Sequence, residues 1–91
     1  MYFVYILKCN DNSFYTGFTP DLERRLSEHT SKHGASYTRT RMPVVLVYKE
    51  VFDSEFKARQ REKQIKGWSR KKKQALTNGD IEMLIAFSKA T

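Results

Sequence analysis

Tyr2-Phe3-Val4-Tyr5-Ile6-Leu7-Lys8-Cys9, then Asn10-Asp11-Asn12-Ser13, then Phe14-Tyr15-Thr16-Gly17-Phe18-Thr19, is the stretch that decides the fold. The outer runs are rich in aromatic and β-branched residues, which suit a pleated, half-buried surface. The inner four are turn formers, so the stretch predicts a β-hairpin. Side chains alternate across a strand. Tyr5 and Tyr15 therefore share a face only if paired positions sum to an even number, or if a bulge shifts the register. A four-residue turn over Asn10–Ser13 predicts opposite faces, and a three-residue loop predicts one face.

Beyond the hairpin, Thr19 is an expected helix N-cap with Pro20 at the first helical position. Asp21 and Glu23 fall in the first turn, where negative charge suits the helix dipole. That helix is expected to run to Ser31 or Lys32, ended by His33-Gly34-Ala35-Ser36. Pro43 opens a strand, Val44-Val45-Leu46-Val47-Tyr48, continuing towards Phe52. Asp53 or Ser54 caps a second helix, which reaches Lys66 before Gly67. Ser69 caps a third over Arg70–Leu76, stopped by Asn78-Gly79, and Ile81, Leu84 and Ile85 form a last helical pattern packing back onto the body. The order β-β-α-β-α-α-α predicts an α+β fold with a small, largely antiparallel sheet covered by helices.

The 91 residues predict one domain, 1–91, with 40% hydrophobic and 13% aromatic residues to build its core. The single Cys9 excludes an internal disulfide and offers no cysteine-based metal site. It reads as a buried strand residue. The apolar Tyr2–Leu7 has no basic flank and is too short to span a bilayer, so no membrane partner and a cytoplasmic location are expected. A net charge of +7 favours polyanions. From Lys57 to Lys73 the basic residues are Lys57, Arg59, Arg61, Lys63, Lys66, Arg70, Lys71, Lys72 and Lys73, with Glu62 the lone acid.

At about 100° per residue, Leu22, Leu26 and His29 share one helical stripe, with Arg25 on its edge a turn before His29. Either residue alone reads as a surface arginine or a boundary histidine; beside Tyr15 and Gly17 the pair reads as a cleft. Ala58, Glu62 and Ile65 also share a face, so Glu62 lies on the inward stripe of its helix. A buried carboxylate needs an ion pair, here Arg25 or a lysine, or a cation such as Mg²⁺. Spacing leaves both open. Gly17 inside a strand implies a bulge or a close approach to its backbone, for which nucleic acid is a candidate. Arg70, Lys71, Lys72 and Lys73 open a helix with the wrong sign for its dipole, next to Trp68. Together with Lys66, and with Arg39 and Arg41 in the loop before Pro43, they are the expected phosphate contacts.

Taken together, these residues resemble a known family. Val4-Tyr5-Ile6 and Tyr15-Thr16-Gly17 resemble the two half-motifs that name the GIY-YIG nuclease superfamily. Asp21-Leu22-Glu23-Arg24-Arg25, Glu28-His29, Tyr37-Thr38 and Glu62 resemble its small stand-alone bacterial members. The likeness spans Tyr2 to Leu76. It implies a three-stranded antiparallel sheet flanked by helices and a metal-dependent endonuclease that hydrolyses DNA phosphodiesters, RNA remaining open. Tyr5 or Tyr15 would be the general base, Arg25 would stabilise the scissile phosphate, His29 would orient a tyrosine or relay a proton, and Glu62 would hold Mg²⁺ or Mn²⁺. Two departures stand out: the first half-motif has no glycine, and the late asparagine of larger members has only Gln74 or the distant Asn78 as stand-ins. With no added recognition domain, cleavage is expected to be weak or selective for DNA structure, in repair or processing, by a monomer. The alternatives are a nucleic-acid-binding module without turnover, or an adaptor for an acidic protein.

Overall fold

A computed structural model describes residues 1–31 and 36–79 of the chain. The elements are β1 (Tyr2–Lys8), β2 (Phe14–Thr19), α1 (Leu22–Thr30), α2 (Ser36–Arg39), β3 (Val45–Phe52), α3 (Glu55–Lys66) and α4 (Arg70–Thr77). The strands form one antiparallel sheet in the order β2-β1-β3. This is the expected α+β architecture. The expected helical pattern at Ile81, Leu84 and Ile85, and Lys32 to Ala35, lie outside the described residues.

The hairpin register resolves the parity question. Tyr5 faces Gly17 and Leu7 faces Tyr15, so both tyrosines lie on one face. The loop is three residues, not four. Cys9 N–H donates to Ser13 O at 2.9 Å, which draws Ser13 into the ladder. Asn12 closes the turn at φ 65°, a conformation asparagine tolerates better than most residues. Asp11 Oδ1 accepts from Ser13 N–H at 3.0 Å and holds the bend.

Central strand β1 is buried on both sides, which explains its unbroken Val4-Tyr5-Ile6-Leu7 run. Val4 and Ile6 pack with Ala58, Ile65 and Leu76 of α3 and α4, flanked by Phe14, Phe18, Tyr48, Phe52 and Trp68. Tyr5 and Leu7 pack with Leu22 of α1, flanked by Phe3, Tyr15, Leu26, Val44 and Leu46. Ile6 is fully buried, so Ile6→Ala would cost about 2–5 kcal/mol. A bulge lets β3 serve both layers. Ile6 pairs with Tyr48 but Leu7 with Leu46, so Val47 is extra, Leu46 faces α1 and Tyr48 faces the other helices.

Helix caps depart from expectation in one place. The α1 N-cap is Asp21, whose Oδ1 accepts from Arg24 N–H at 3.1 Å, and not Thr19. Thr19 instead accepts Asp21 N–H through Oγ1 at 3.1 Å, folding the Thr19–Pro20 corner back before the helix begins. Ser54 and Ser69 cap α3 and α4 as expected. The segment expected as a loop before Pro43 holds α2, one helical turn.

Candidate active site

The fully buried Tyr5 is the centre of the cluster. Its ring lies across Gly17, directly opposite it in the ladder. A Cβ at Gly17 would stand 2.9 Å from Tyr5 Cε1 and closer to Cζ and the hydroxyl oxygen. The glycine is therefore required by the phenol above it. Gly17 is itself buried, so the expectation that it touches nucleic acid gives way to a packing role.

One turn of α1 beyond Arg25, the fully buried His29 meets the tip of Tyr5. Its Nε2 is 3.1 Å from the Tyr5 hydroxyl, and its Nδ1 is 2.7 Å from Thr38 Oγ1. Tyr15 stands edge-on to the imidazole at 5.3 Å between centroids and tilts against Tyr5 at 6.3 Å. Tyr37 closes over Tyr15 at 6.1 Å. Thr38 and Tyr37 both come from α2, so this single turn supplies one contact beneath the histidine and one above the tyrosine.

Arg25 pairs with Glu28 at 3.3 Å and lies close enough to the Tyr5 and Tyr15 hydroxyls for its charge to act on them. Burial works against its charge, but Tyr5, Glu28 and Tyr15 outweigh it and hold the pKa above that of a free guanidinium. Burial also pushes the Tyr5 hydroxyl up to about 12, with Arg25 opposing and Tyr15 and Glu62 reinforcing the rise. His29 moves the other way, its pKa lowered by burial and then by the Arg25 charge. At neutral pH the cluster thus holds a neutral phenol, a neutral imidazole and a cation.

Glu62 is on α3, where Ala58 and Ile65 of the same stripe are fully buried. Its side chain keeps 20% exposure, and Oε2 pairs with Lys66 Nζ at 3.3 Å. The partner is a neighbouring lysine and not Arg25. Its field nonetheless reaches the Tyr5 hydroxyl. Among the described residues no group of three or more His, Cys, Asp or Glu side chains gathers to hold a metal. A lone hard carboxylate fits a cation such as Mg²⁺, which takes one or two carboxylates and completes its shell with water and phosphate oxygen. It does not fit zinc, which draws several nitrogen or sulfur ligands from the protein.

The basic residues separate by what they touch. Arg41 donates through Nε to Asp11 Oδ2 at 3.0 Å and through Nη1 to Tyr37 O at 2.9 Å, and stacks on the Tyr37 ring at 3.8 Å. It ties the hairpin turn to α2. Arg39 ends α2 and is exposed. Arg70 lies over Phe14 and donates to Asn12 O, which seats the start of α4 on the hairpin turn. Arg70 and Lys73 line a groove of about 180 Å³ with Ser13 and Phe14. Burial and then the nearby Lys66 lower the Lys73 pKa. Lys71 and Lys66 are exposed, while Lys72 is 4.3 Å from the centre of the Trp68 ring. Gln74 donates to Asn78 Oδ1 at 3.0 Å, so the two stand-ins for a late asparagine engage each other.

Sequence reasoning missed Thr38 as a site residue, and it missed a separate ionic cluster. Arg61 donates to both oxygens of Glu50 at 3.0–3.2 Å, and Tyr48 donates to the same carboxylate. Arg61 lies 5.0 Å from the Trp68 ring centre, on the cluster that joins β3 to α3 and α4.

Residues 1–75 match the family model described as the GIY-YIG catalytic domain. A UPF0213 protein of Staphylococcus haemolyticus is 53% identical over 72 residues, which are 79% of this chain and 88% of that one. A UPF0213 protein of Haloquadratum walsbyi is 52% identical over 75 residues, 82% and 84% of the two chains. The fold is similar to the solution NMR structure of a UPF0213 protein from Bacillus halodurans, with a TM-score of 0.58 at 44% identity, covering 88% of this chain and 86% of that one. No helix among the described residues is long and apolar enough to cross a membrane.

Proposed function

Because this chain belongs to the GIY-YIG family, whose catalytic domain is that of a nuclease, we propose that it is a metal-dependent endonuclease. It hydrolyses DNA phosphodiester bonds, selects for DNA structure over sequence, and serves repair or processing. The observation that carries this reading is the Tyr5 hydroxyl against His29 Nε2, under the charge of Arg25 and with Tyr15 alongside.

With a pKa of about 12, Tyr5 does not act as a preformed phenolate at neutral pH. Instead it passes a proton on. As the attacking water forms its bond to phosphorus, the water proton moves to the Tyr5 oxygen and the phenol proton moves to His29 Nε2. The bond from phosphorus to the leaving oxygen breaks, and that oxygen takes a proton from solvent. Arg25 neutralises charge growing on the phosphoryl oxygens. Its pair with Glu28, 27% and 38% exposed, is a partly solvated contact worth at most about 1 kcal/mol, so an incoming phosphate can displace it. Glu62 would hold Mg²⁺ or Mn²⁺, which supplies Lewis-acid stabilisation of the phosphate when bound. Lys66, Lys71, Lys73 and Arg39 hold the DNA backbone, while Arg70, Lys72 and Arg41 add charge from side chains that already brace the fold.

The test is cleavage of single-stranded, duplex, flapped and nicked DNA, and of RNA, with Mg²⁺, Mn²⁺ or chelator. Parent, Glu62→Gln and Arg25→Lys proteins are compared. Metal-dependent cutting that both variants lose by at least about 10²-fold supports the assignment; a variant that cuts like the parent overturns it. One observation favours a second reading, a binding module without turnover: Lys66 already neutralises Glu62. That reading predicts tight, salt-sensitive binding indifferent to metal and to Glu62→Gln.

A further inference from the structure

Proton bookkeeping in the buried cluster identifies the side chain on which the Tyr5–His29 contact depends. Arg25 carries donors and no acceptor, and its charge acts on the Tyr5 oxygen, which favours the lone pairs of that oxygen on the Arg25 side. The single phenol proton then points to the other partner, His29 Nε2, at 3.1 Å. In this arrangement Nε2 is bare. His29 is fully buried and neutral, which puts its one ring proton on Nδ1, 2.7 Å from Thr38 Oγ1. The opposite tautomer would aim an N–H at the Tyr5 oxygen and turn the phenol proton away from Nε2, towards the Arg25 charge. The phenol proton of the buried Tyr5 would then lose its acceptor, a loss of about 1–3 kcal/mol. Other charged or titratable groups facing the imidazole are Glu28 on the same helix and Tyr15 on β2. Neither hydrogen-bonds Nδ1 in place of Thr38.

We propose that Thr38 is a positioning residue, whose hydroxyl oxygen accepts the Nδ1 proton of His29 and so keeps Nε2 as the acceptor for the Tyr5 proton. It does not touch the substrate. It sets the tautomer, as acceptors behind a functional histidine do generally. The proposal rests on the nuclease reading only for its catalytic consequence, because the tautomer is observable in the protein alone.

The experiment is a long-range proton–nitrogen correlation spectrum of the ¹⁵N-labelled full chain at neutral pH, with His29 and His33 told apart by His33→Gln. The expected parent spectrum shows His29 protonated at Nδ1 and bare at Nε2. Thr38→Val should move the proton to Nε2, and Thr38→Ser should restore the parent pattern. In cleavage assays Thr38→Val should lower kcat by at least about 10-fold, a fraction of what a general base supplies. KM should be nearly unchanged, and Thr38→Ser should recover most of the rate. A parent His29 protonated at Nε2 overturns the proposal, as does a folded Thr38→Val protein with the parent tautomer. Should Thr38→Val fail to fold, the parent and Thr38→Ser spectra decide. If the parent cuts nothing with any metal, the nuclease reading fails while the spectrum still judges Thr38.

Discussion

Gly17→Ala tests the packing on which the cluster depends, because its effect should change sign with the residue at position 5. The added Cβ would stand 2.9 Å from Tyr5 Cε1, against 3.4 Å for ordinary contact, and closer still to Cζ and the hydroxyl oxygen. The ring has little room to retreat, with His29 and Tyr15 against it. Overpacking of this kind costs about 1–3 kcal/mol. Exchanging glycine for alanine within a strand returns about 0.5–1 kcal/mol. The net loss expected is roughly 0.5–2 kcal/mol, and each kcal/mol moves Tm by about 4–8 °C in a domain of this size. The Tyr5 hydroxyl shifts by on the order of 1 Å, enough for about a 10²-fold loss in rate. In a Tyr5→Leu background, which removes Cζ and the hydroxyl, Gly17→Ala should instead be neutral or stabilising by about 0.5–1 kcal/mol. Urea unfolding followed by circular dichroism on all four proteins gives the coupling directly. Equal destabilisation in both backgrounds would refute the account of Gly17 as the floor under Tyr5.

Other predictions concern charge. Since burial raises the Tyr5 pKa to about 12 in the folded state, above its ordinary 10.0, stability should be intact below pH 10 and fall as pH rises from there. His29 has a lowered pKa, so stability should be full above its ordinary value of about 6.5 and decline as pH falls below it. Urea midpoints from pH 5 to 11, with Tyr5→Phe and His29→Gln each flattening one limb, check both. Arg61→Ala strands the Glu50 carboxylate, whose side chain is 19% exposed, and should destabilise by about 1–3 kcal/mol. Cleavage at a temperature where that variant stays folded should match the parent. Lys73→Ala should weaken DNA binding and reduce the slope of log affinity against log salt by about 1; an unchanged slope would remove Lys73 from the interface.

The sheet was legible because its signal is local and strong. The apolar run of β1, the Asn10–Asn12 turn formers and the Ser54 and Ser69 caps each declare themselves within a few residues. Helical periodicity likewise put Arg25 beside His29 and Glu62 on the inward stripe. What escaped depends on long-range pairing or on elements too short to have a period. One turn of helix, Ser36–Arg39, has no repeat to detect, so Tyr37-Thr38 stood out only as part of a family resemblance, without a role attached. Thr19 and Asp21 are both good caps two residues apart, and the Thr19 hydroxyl, engaged with Asp21 N–H, yields the role. The bond that holds Arg41 went unread because its partner Asp11 lies 30 residues earlier. Gly17 signalled a close approach, but only the ladder register showed that the visitor is the protein's own Tyr5.

Trp68 is the chain's single tryptophan, with the Arg61 guanidinium 5.0 Å and the Lys72 ammonium 4.3 Å from its ring centre. That placement makes the indole a built-in optical reporter. Its emission depends on the charges beside it, so a polyanion that draws Lys72 off the ring changes the signal with no label attached. Arg61, held by Glu50, stays in place as the constant half of the background. Because Trp68 packs in the layer under α3 and α4 while Tyr5 and His29 lie in the other, the reporter follows docking independently of events among the tyrosines.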